Sequence, residues 1–588
     1  MSDTQDTDTA QAQAPTTIPE PRFYGEDMVQ EVIARLLTDG SLSEDQLVEL
    51  QNRASLSLKP VDELALEEGL VDEPTFLALY SELSNIPLRK IGDYKIGREV
   101  IDSLPARVAL RYRVAPVQLQ DGVLTLAACR VPAFTVVEGL RVVLDRPVQW
   151  VLCPSADVNR SLTYFYGLGA ETVEKLVAEA PPDDEEEKEE DIAAVSDDSG
   201  MIQFINMIIA EAIHMDATDI HIEPFEDKLR LRCRVDGILQ EIPLPKGVER
   251  LKRSISSAVK IMGNMDISER RKPHDGRIKV RCDGNEYDLR VSILPTAWGE
   301  TCCLRILNRN TVFADLDKLG LSQNQLPKIR QLADLPHGVI LLTGPTGSGK
   351  TTTLYALLSR LNKTGVKIIT VEDPIEYQMQ GVSQVQVHSK IGLTFASVLR
   401  SILRHDPDVI LIGEIRDTET ADIAVRSSLT GHLVLSTLHT NDAPSAVTRL
   451  TDMGIEPYLI ASCVEGVIAQ RLVRSVCTQC KHETDVDQAI RDEIAGYYPD
   501  LIGNAHFALG NGCPNCGFTG YRGRSAINEV MVMSDQIRSL VVQRAAANVI
   551  KDTAVAEGMV TLRRDGWLRV VEGRTSVDEV MRVVGRSS

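Results

Sequence analysis

Gly344-Pro345-Thr346-Gly347-Ser348-Gly349-Lys350-Thr351 decides how this chain is read. It fits G-x-x-x-x-G-K-[ST], a pattern that means a phosphate cradle only between a strand and a helix. Both flanks comply. Upstream, 338–343 (Gly-Val-Ile-Leu-Leu-Thr) reads as a buried strand; downstream, Leu354, Leu357, Leu358 and Leu361 recur at helical spacing. Glycines let successive N–H groups curl inward, and the helix N-terminus adds partial positive charge. Lys350 is expected to reach the β- and γ-phosphates and the Thr351 hydroxyl to ligate Mg²⁺, with Thr352 in the same first helical turn.

Three more apolar runs lead into polar tips. Residues 366–371 run into Glu372-Asp373-Pro374-Ile375-Glu376, 409–412 into Gly413-Glu414-Ile415-Arg416-Asp417, and 433–437 into Leu438-His439-Thr440-Asn441-Asp442. Continuous apolar strands alternating with helical stretches argue a parallel sheet covered on both faces, with ligands at the strands' carboxyl ends. Phosphoanhydride hydrolysis needs a metal clamp, an oriented water and positive charge on the transferred phosphoryl. The acids and imidazole at these tips suit the first two needs; any one acid alone would equally serve as a helix N-cap.

At 588 residues the chain exceeds one core and calls for about three to five domains. Residues 1–25 lack order-promoting composition and read as disordered. A helical and α+β region is expected over 26–168. Within it Gly40-Ser-Leu-Ser43 and Gly69-Leu-Val-Asp72 repeat one helix-stop, helix-start pattern. An acidic linker over 169–199 holds Asp183–Asp191, eight acids and one lysine. A second α/β domain over 200–315 carries Arg230, Arg232, Arg234, Arg277, Arg281, Arg290 and Arg305 near its strands. The nucleotide domain fills 325–588, mostly helical after His482 apart from a cysteine insert at about 474–522.

A net charge of −21 argues against a nucleic-acid partner. No apolar run approaches the roughly 18 residues of a membrane span, and Met1–Glu20 has no export-signal pattern, so a cytoplasmic protein is expected. Cys477-Thr-Gln-Cys480 and Cys513-Pro-Asn-Cys516-Gly517 supply four thiolates, enough for a closed Zn²⁺ site, although the gap of 32 residues between the pairs exceeds the usual ~15–20. A redox dithiol is the alternative. The other seven cysteines read as buried thiols.

Taken together, 344–351, 369–376, 408–417 and Gly431–Ala443 resemble the Walker A, Asp box, Walker B and His box of secretion ATPases, the hexameric motors of type II secretion and type IV pili. Residues 217–224, 270–277, 558–566 and 575–581 resemble further motifs of that family, so the likeness spans about 200–588. It implies an α/β fold: a RecA-like P-loop domain preceded by a PAS-like α/β domain and an N-terminal docking domain, with a tetracysteine zinc subdomain. It implies ATP and Mg²⁺ as ligands, Glu372 orienting water, Glu414 near Mg²⁺, His432 and His439 coupling nucleotide state to movement, and Arg290 and Arg305 presented to a phosphate. The family often has a basic residue after Gly299-Glu300, where this chain has Thr301. The resemblance implies a homohexamer, peripheral at the inner membrane, driving either type II secretion or pilus extension. Its partners would be the cytoplasmic domain of an L-type platform protein and a polytopic F-type protein. Relatives that bind cyclic-di-GMP open each N-terminal motif with Arg-Leu-Gly; Ser57-Leu58-Lys59 here favours docking over dinucleotide binding.

Overall fold

The computed structural model describes residues 26–57, 61–169, 172–173, 176–177, 199–308 and 316–585. The expectations for 1–25, for the 183–191 acids and for Leu58 and Lys59 lie outside these.

Helices Glu26–Thr38, Glu44–Ser57, Val61–Glu67 and Glu73–Ser84 build the first layer. Gly40 and Gly69 stand after helix ends at φ +72° and +68°, a conformation glycine adopts without a Cβ penalty. Behind them Ala115–Gln120 and Val123–Ala128 pair antiparallel, and Val148–Leu152 joins in parallel. Phe76, Tyr80, Leu126 and Trp150 lie in one shared core. Helix Ser155–Tyr166 closes the module.

The second module is a six-stranded, wholly antiparallel sheet. Its order is Ile238–Ile242, Leu229–Val235, Ala217–Pro224, Gly299–Asn308, Asn285–Thr296, His274–Cys282. Helices Ser199–His214 and Lys252–Met262 share its core. That core contains an ion pair. Lys260, 0 % exposed, places Nζ 2.6 Å from Glu300 and donates to the Glu269 carbonyl at 2.8 Å.

The third module is a seven-stranded sheet ordered Val382–Gln386, Ile368–Glu372, Val409–Ile412, Leu433–Leu438, Gly338–Thr343, Val464–Val476, Tyr521–Val532. The first six are parallel and the last is antiparallel. Beyond the cysteine insert the region after His482 is mostly helical, as expected, but the sequence reading needs one addition: strand Tyr521–Val532 completes the sheet. Its solvent-side half, Tyr-Arg-Gly-Arg-Ser, lacks the continuous apolar run that marks the inner strands. The cysteine insert sits at the end of this long two-stranded ribbon, since Cys477 follows Val476 and Cys516 precedes Tyr521. C-terminal helices pack over the sheet, with Trp567 fully buried.

Removing one partner of a buried pair leaves the other charge uncompensated, which typically costs about 3–5 kcal/mol. Glu300→Ala should therefore lower unfolding stability by about that much, while Lys260→Met with Glu300→Leu together should recover most of it. Denaturant titration of the three proteins checks this; equal stability of wild type and Glu300→Ala would contradict it.

Candidate active site

The parallel register sends every strand in one direction, so Thr343, Glu372, Ile412 and Leu438 end at the same edge of the sheet. The cradle hangs from the first of these. Gly344 takes φ +142° and Gly349 φ +85°, and a Cβ on either would come within 2.4 Å of the Gln470 carbonyl oxygen and 2.6 Å of Gln470 Nε2 respectively. The loop is thus pressed against the Val464–Val476 strand. Gln470 Nε2 also donates to the Ser348 carbonyl at 2.9 Å, and its Oε1 accepts from Thr353 Oγ1 at 2.7 Å. Pro345, Thr346 and Gly347 form the exposed rim, with Thr351 and Thr352 exposed at the helix start.

Two observations suit this hollow to polyphosphate. Ser348 Oγ is buried with no hydrogen-bond partner. Lys350 turns into the loop, donating to the Gly344 and Pro345 carbonyls at 2.7 and 3.0 Å. Burial pulls its ammonium down to about 8, against the pull of Glu414 and with help from the nearby Arg471. Arg471 itself donates to Asn441 Oδ1 at 3.0 Å.

Glu372 is 5 % exposed and held by three donors: Tyr355 OH at 2.5 Å, Thr370 Oγ1 at 2.6 Å and Gln384 Nε2 at 3.2 Å. Burial, then the Glu372 carboxylate, pushes the Tyr355 phenol far above its ordinary range, so it remains a proton donor to that carboxylate. Glu414 faces Arg416 at 2.6 Å and His439 Nε2 at 3.4 Å. His432 does not join them. It precedes the Leu433–Leu438 strand, accepts the Gly338 N–H on its carbonyl, and holds its ring against Ser427 and Thr430 at the opposite edge of the sheet.

The second module reaches the site through a charged row. Cross-strand register aligns Arg277, Arg290, Arg305, Asp219 and Arg234 as successive neighbours on one face. The row itself carries four arginines and one carboxylate, a net positive charge. Asp219 takes Arg305 at 3.1 Å and Arg234 at 3.6 Å. Arg290 donates to the Ile375 carbonyl at 3.3 Å and lies 3.7 Å from Glu376. Arg290 thus meets the segment that follows Glu372, while Arg305, 60 % exposed, pairs with Asp219 and keeps room to move. Thr301 sits in the central strand and donates to the Ile222 carbonyl at 3.1 Å, a ladder-side role.

Cys477, Cys480, Cys513 and Cys516 converge, with all four sulfurs within 4.8 Å of one another and pairs at 3.8 and 3.9 Å. A tetrahedral Zn²⁺ with Zn–S bonds of about 2.3 Å separates its sulfurs by about 3.8 Å. The Cys513 and Gly520 N–H groups donate to Cys516 Sγ at 3.2 and 3.3 Å, favouring the thiolate a metal needs. The residues fit a zinc site. Of the other cysteines, Cys153, Cys233, Cys302 and Cys463 are buried, but Cys129, Cys282 and Cys303 are only partly so.

The model of the Type II/IV secretion system protein family matches residues 194–582, and that of the MshEN domain matches 84–172. The chain belongs to the type II/IV secretion system protein family. The secretion-system likeness extends to whole relatives. "Type II secretion system protein E" of Xanthomonas campestris is 40% identical over 522 residues, 88% of this chain and 91% of that protein. "Type IV pilus assembly ATPase PilB" of Myxococcus xanthus is 39% identical over 554 residues, 93% of this chain and 97% of that protein. "Type II secretion system ATPase E" of Vibrio cholerae is 42% identical over 478 residues, 81% of this chain and 92% of that protein. Among solved structures, the pilus retraction motor PilT with bound ADP aligns at 26% identity and TM-score 0.44, covering 64% of this chain and 95% of that one. With its phosphate cradle, this member of the family is an ATPase of α/β secretion-ATPase fold.

Sequence reading missed Tyr355, Gln384, Gln470 and Arg471. A glutamine and an arginine interrupting the apolar run 467–473 were the available signal for the last two.

Lys350 in the free protein is charged mainly below about 8. A bound triphosphate holds it charged to higher pH, so binding above that point takes up a proton. ATP affinity should fall by about tenfold per pH unit above 8, and Lys350→Ala should be weak and flat over the same range. Displacement of a fluorescent nucleotide from pH 7 to 10 measures this; a pH-independent wild type would contradict it.

Proposed function

We propose that this ATPase is the motor of a type II protein secretion system, working as a homohexamer at the cytoplasmic face of the inner membrane and driving pseudopilus assembly. The relatives named protein E support that client, and no described helix is long and apolar enough to cross a membrane. The N-terminal module would dock on the cytoplasmic domain of an L-type platform protein, with the F-type protein as the second partner. The motifs weighed for cyclic-di-GMP precede the matched 84–172 stretch. Pilus extension is the second reading, and the likeness to the pilus assembly ATPase over 93% of the chain favours it.

In the proposed chemistry the 344–351 amides and Lys350 hold the phosphates. Thr351 and Glu414 would hold Mg²⁺, which supplies charge neutralisation on the β- and γ-oxygens. Glu372 orients the attacking water, Arg290 and Arg305 stabilise charge on the transferred phosphoryl, and His439 reports the change to Glu414. The observation that carries this reading is the grip of Arg290 on Ile375 and Glu376, within four residues of Glu372. It joins the arginine row to the segment bearing the water-orienting carboxylate. Closing of the second module on ATP and its release after hydrolysis would be the working stroke.

Glu372→Gln should keep ATP affinity within about twofold and cut turnover by roughly 10²–10⁴-fold. Arg290→Ala should likewise lower turnover more than affinity. Steady-state hydrolysis paired with binding measurements decides; a Glu372→Gln protein of wild-type turnover rules the assignment out. Loss of exoprotein export, with pili retained, in a strain carrying Lys350→Ala would separate the two clients.

A further inference from the structure

The zinc knuckle touches more than its own ribbon. From the N-terminal module, Tyr164 and Phe165 bring their rings to 4.5 and 6.0 Å from that of Phe518, two residues past Cys516. Arg160 donates to Asn515 Oδ1 at 3.4 Å, and Asn515 Nδ2 donates to Cys477 Sγ at 3.5 Å. The fit is close: a Cβ on Gly92 would come 2.8 Å from the Cβ of Cys513. From the second module, Asp216 and Asp236 pair with Arg522 and Arg524 at 3.7 and 3.5 Å, and the Gly523 N–H donates to Asp236 at 2.7 Å.

Backbone hydrogen bonds such as Cys477 N–H to the Gly520 carbonyl shape the knuckle, but its buried apolar cluster is small. Its apolar cluster consists of Cys477, Cys513 and Cys516 with Cys480 packed against them, the metal-binding sulfurs themselves. Phe518 stands at φ +60°, a backbone state that bulky side chains disfavour, and its N–H is tied back to the Cys513 carbonyl at 2.9 Å. Small sites of this kind draw their folding free energy from the metal. The position of the Phe518 ring therefore depends on what the four sulfurs hold.

We infer that the zinc site is a latch: with metal bound it presents Phe518 and Asn515 to Tyr164, Phe165 and Arg160, and so docks the N-terminal module against the ATPase module. The knuckle is then an interaction surface whose partner is the chain's own 155–166 helix. This assignment is independent of the exported client.

Hydrogen–deuterium exchange on the full-length protein tests it in three states: zinc-loaded, chelator-treated, and zinc-loaded Phe518→Asn. Asparagine tolerates the left-handed backbone state, removes the ring and leaves the four thiolates in place. Zinc content is measured on each sample. Amides of the Ser155–Tyr166 helix should exchange roughly five- to tenfold faster in both the metal-free protein and the Phe518→Asn protein, while the Val123–Ala128 strand stays protected. Should chelation unfold the ATPase sheet as well, the Phe518→Asn protein decides alone. Unchanged exchange in that helix, in zinc-loaded Phe518→Asn or in metal-free protein whose sheet remains protected, overturns the inference.

Discussion

The pairing of Gly338–Thr343 between Leu433–Leu438 and Val464–Val476, all in parallel, is the constraint on which the rest of this structure depends. Parallel register puts like ends together. Thr343 therefore stands beside Leu438 and Ala469, and what each chain segment does next happens at one edge. The first turns into the cradle, the second into His439, and the third passes Gln470 under the loop. Thr343 Oγ1 accepts the Thr440 N–H at 2.8 Å, binding the cradle strand to the histidine loop. The same rule removes His432 from the site, because a residue seven positions earlier on an extended strand lies at the sheet's far edge.

Around that edge the site is built from support rather than from isolated catalytic groups. Tyr355 comes from the helix that starts at Lys350, Thr370 from the strand of Glu372 itself, and Gln384 from the neighbouring strand, and all three aim hydrogen bonds at one carboxylate. These three bonds fix the orientation of Glu372. The arginine row approaches from another module with its charge only partly answered by Asp219. The 372–376 segment is thus held by Arg290 of the second module at one end and by Tyr355 of its own module at the other.

Much of this was legible in the sequence. The inner strands were visible because burial on both faces demands unbroken apolar runs, and the cradle because its glycines and lysine have few other uses in that setting. The four thiolates were visible as two C-x-x-C pairs. What stayed hidden was long-range. Nothing near Glu372 announces Tyr355, 17 residues earlier, or Gln384 across a strand. Tyr521–Val532 opens on Tyr-Arg-Gly-Arg-Ser, with no apolar run, and follows an insert, so its place in a sheet begun at Gly338 had no local sign. The four-arginine row is a property of register: seven arginines were evident in the sequence, but which of them align depended on strand pairing.

The central claim is that Arg290 exchanges its grip on the 375–376 segment for the terminal phosphate while Glu372 stays where its three donors hold it. The most direct measurement is a structure of the assembled protein with a non-hydrolysable ATP analogue and Mg²⁺. The account predicts triphosphate in the 344–351 curl, Arg290 within hydrogen-bond distance of the γ-phosphate, and a water between that phosphate and Glu372. Analogue bound in the curl with Arg290 still on Ile375 and Glu376, in every subunit, would contradict it.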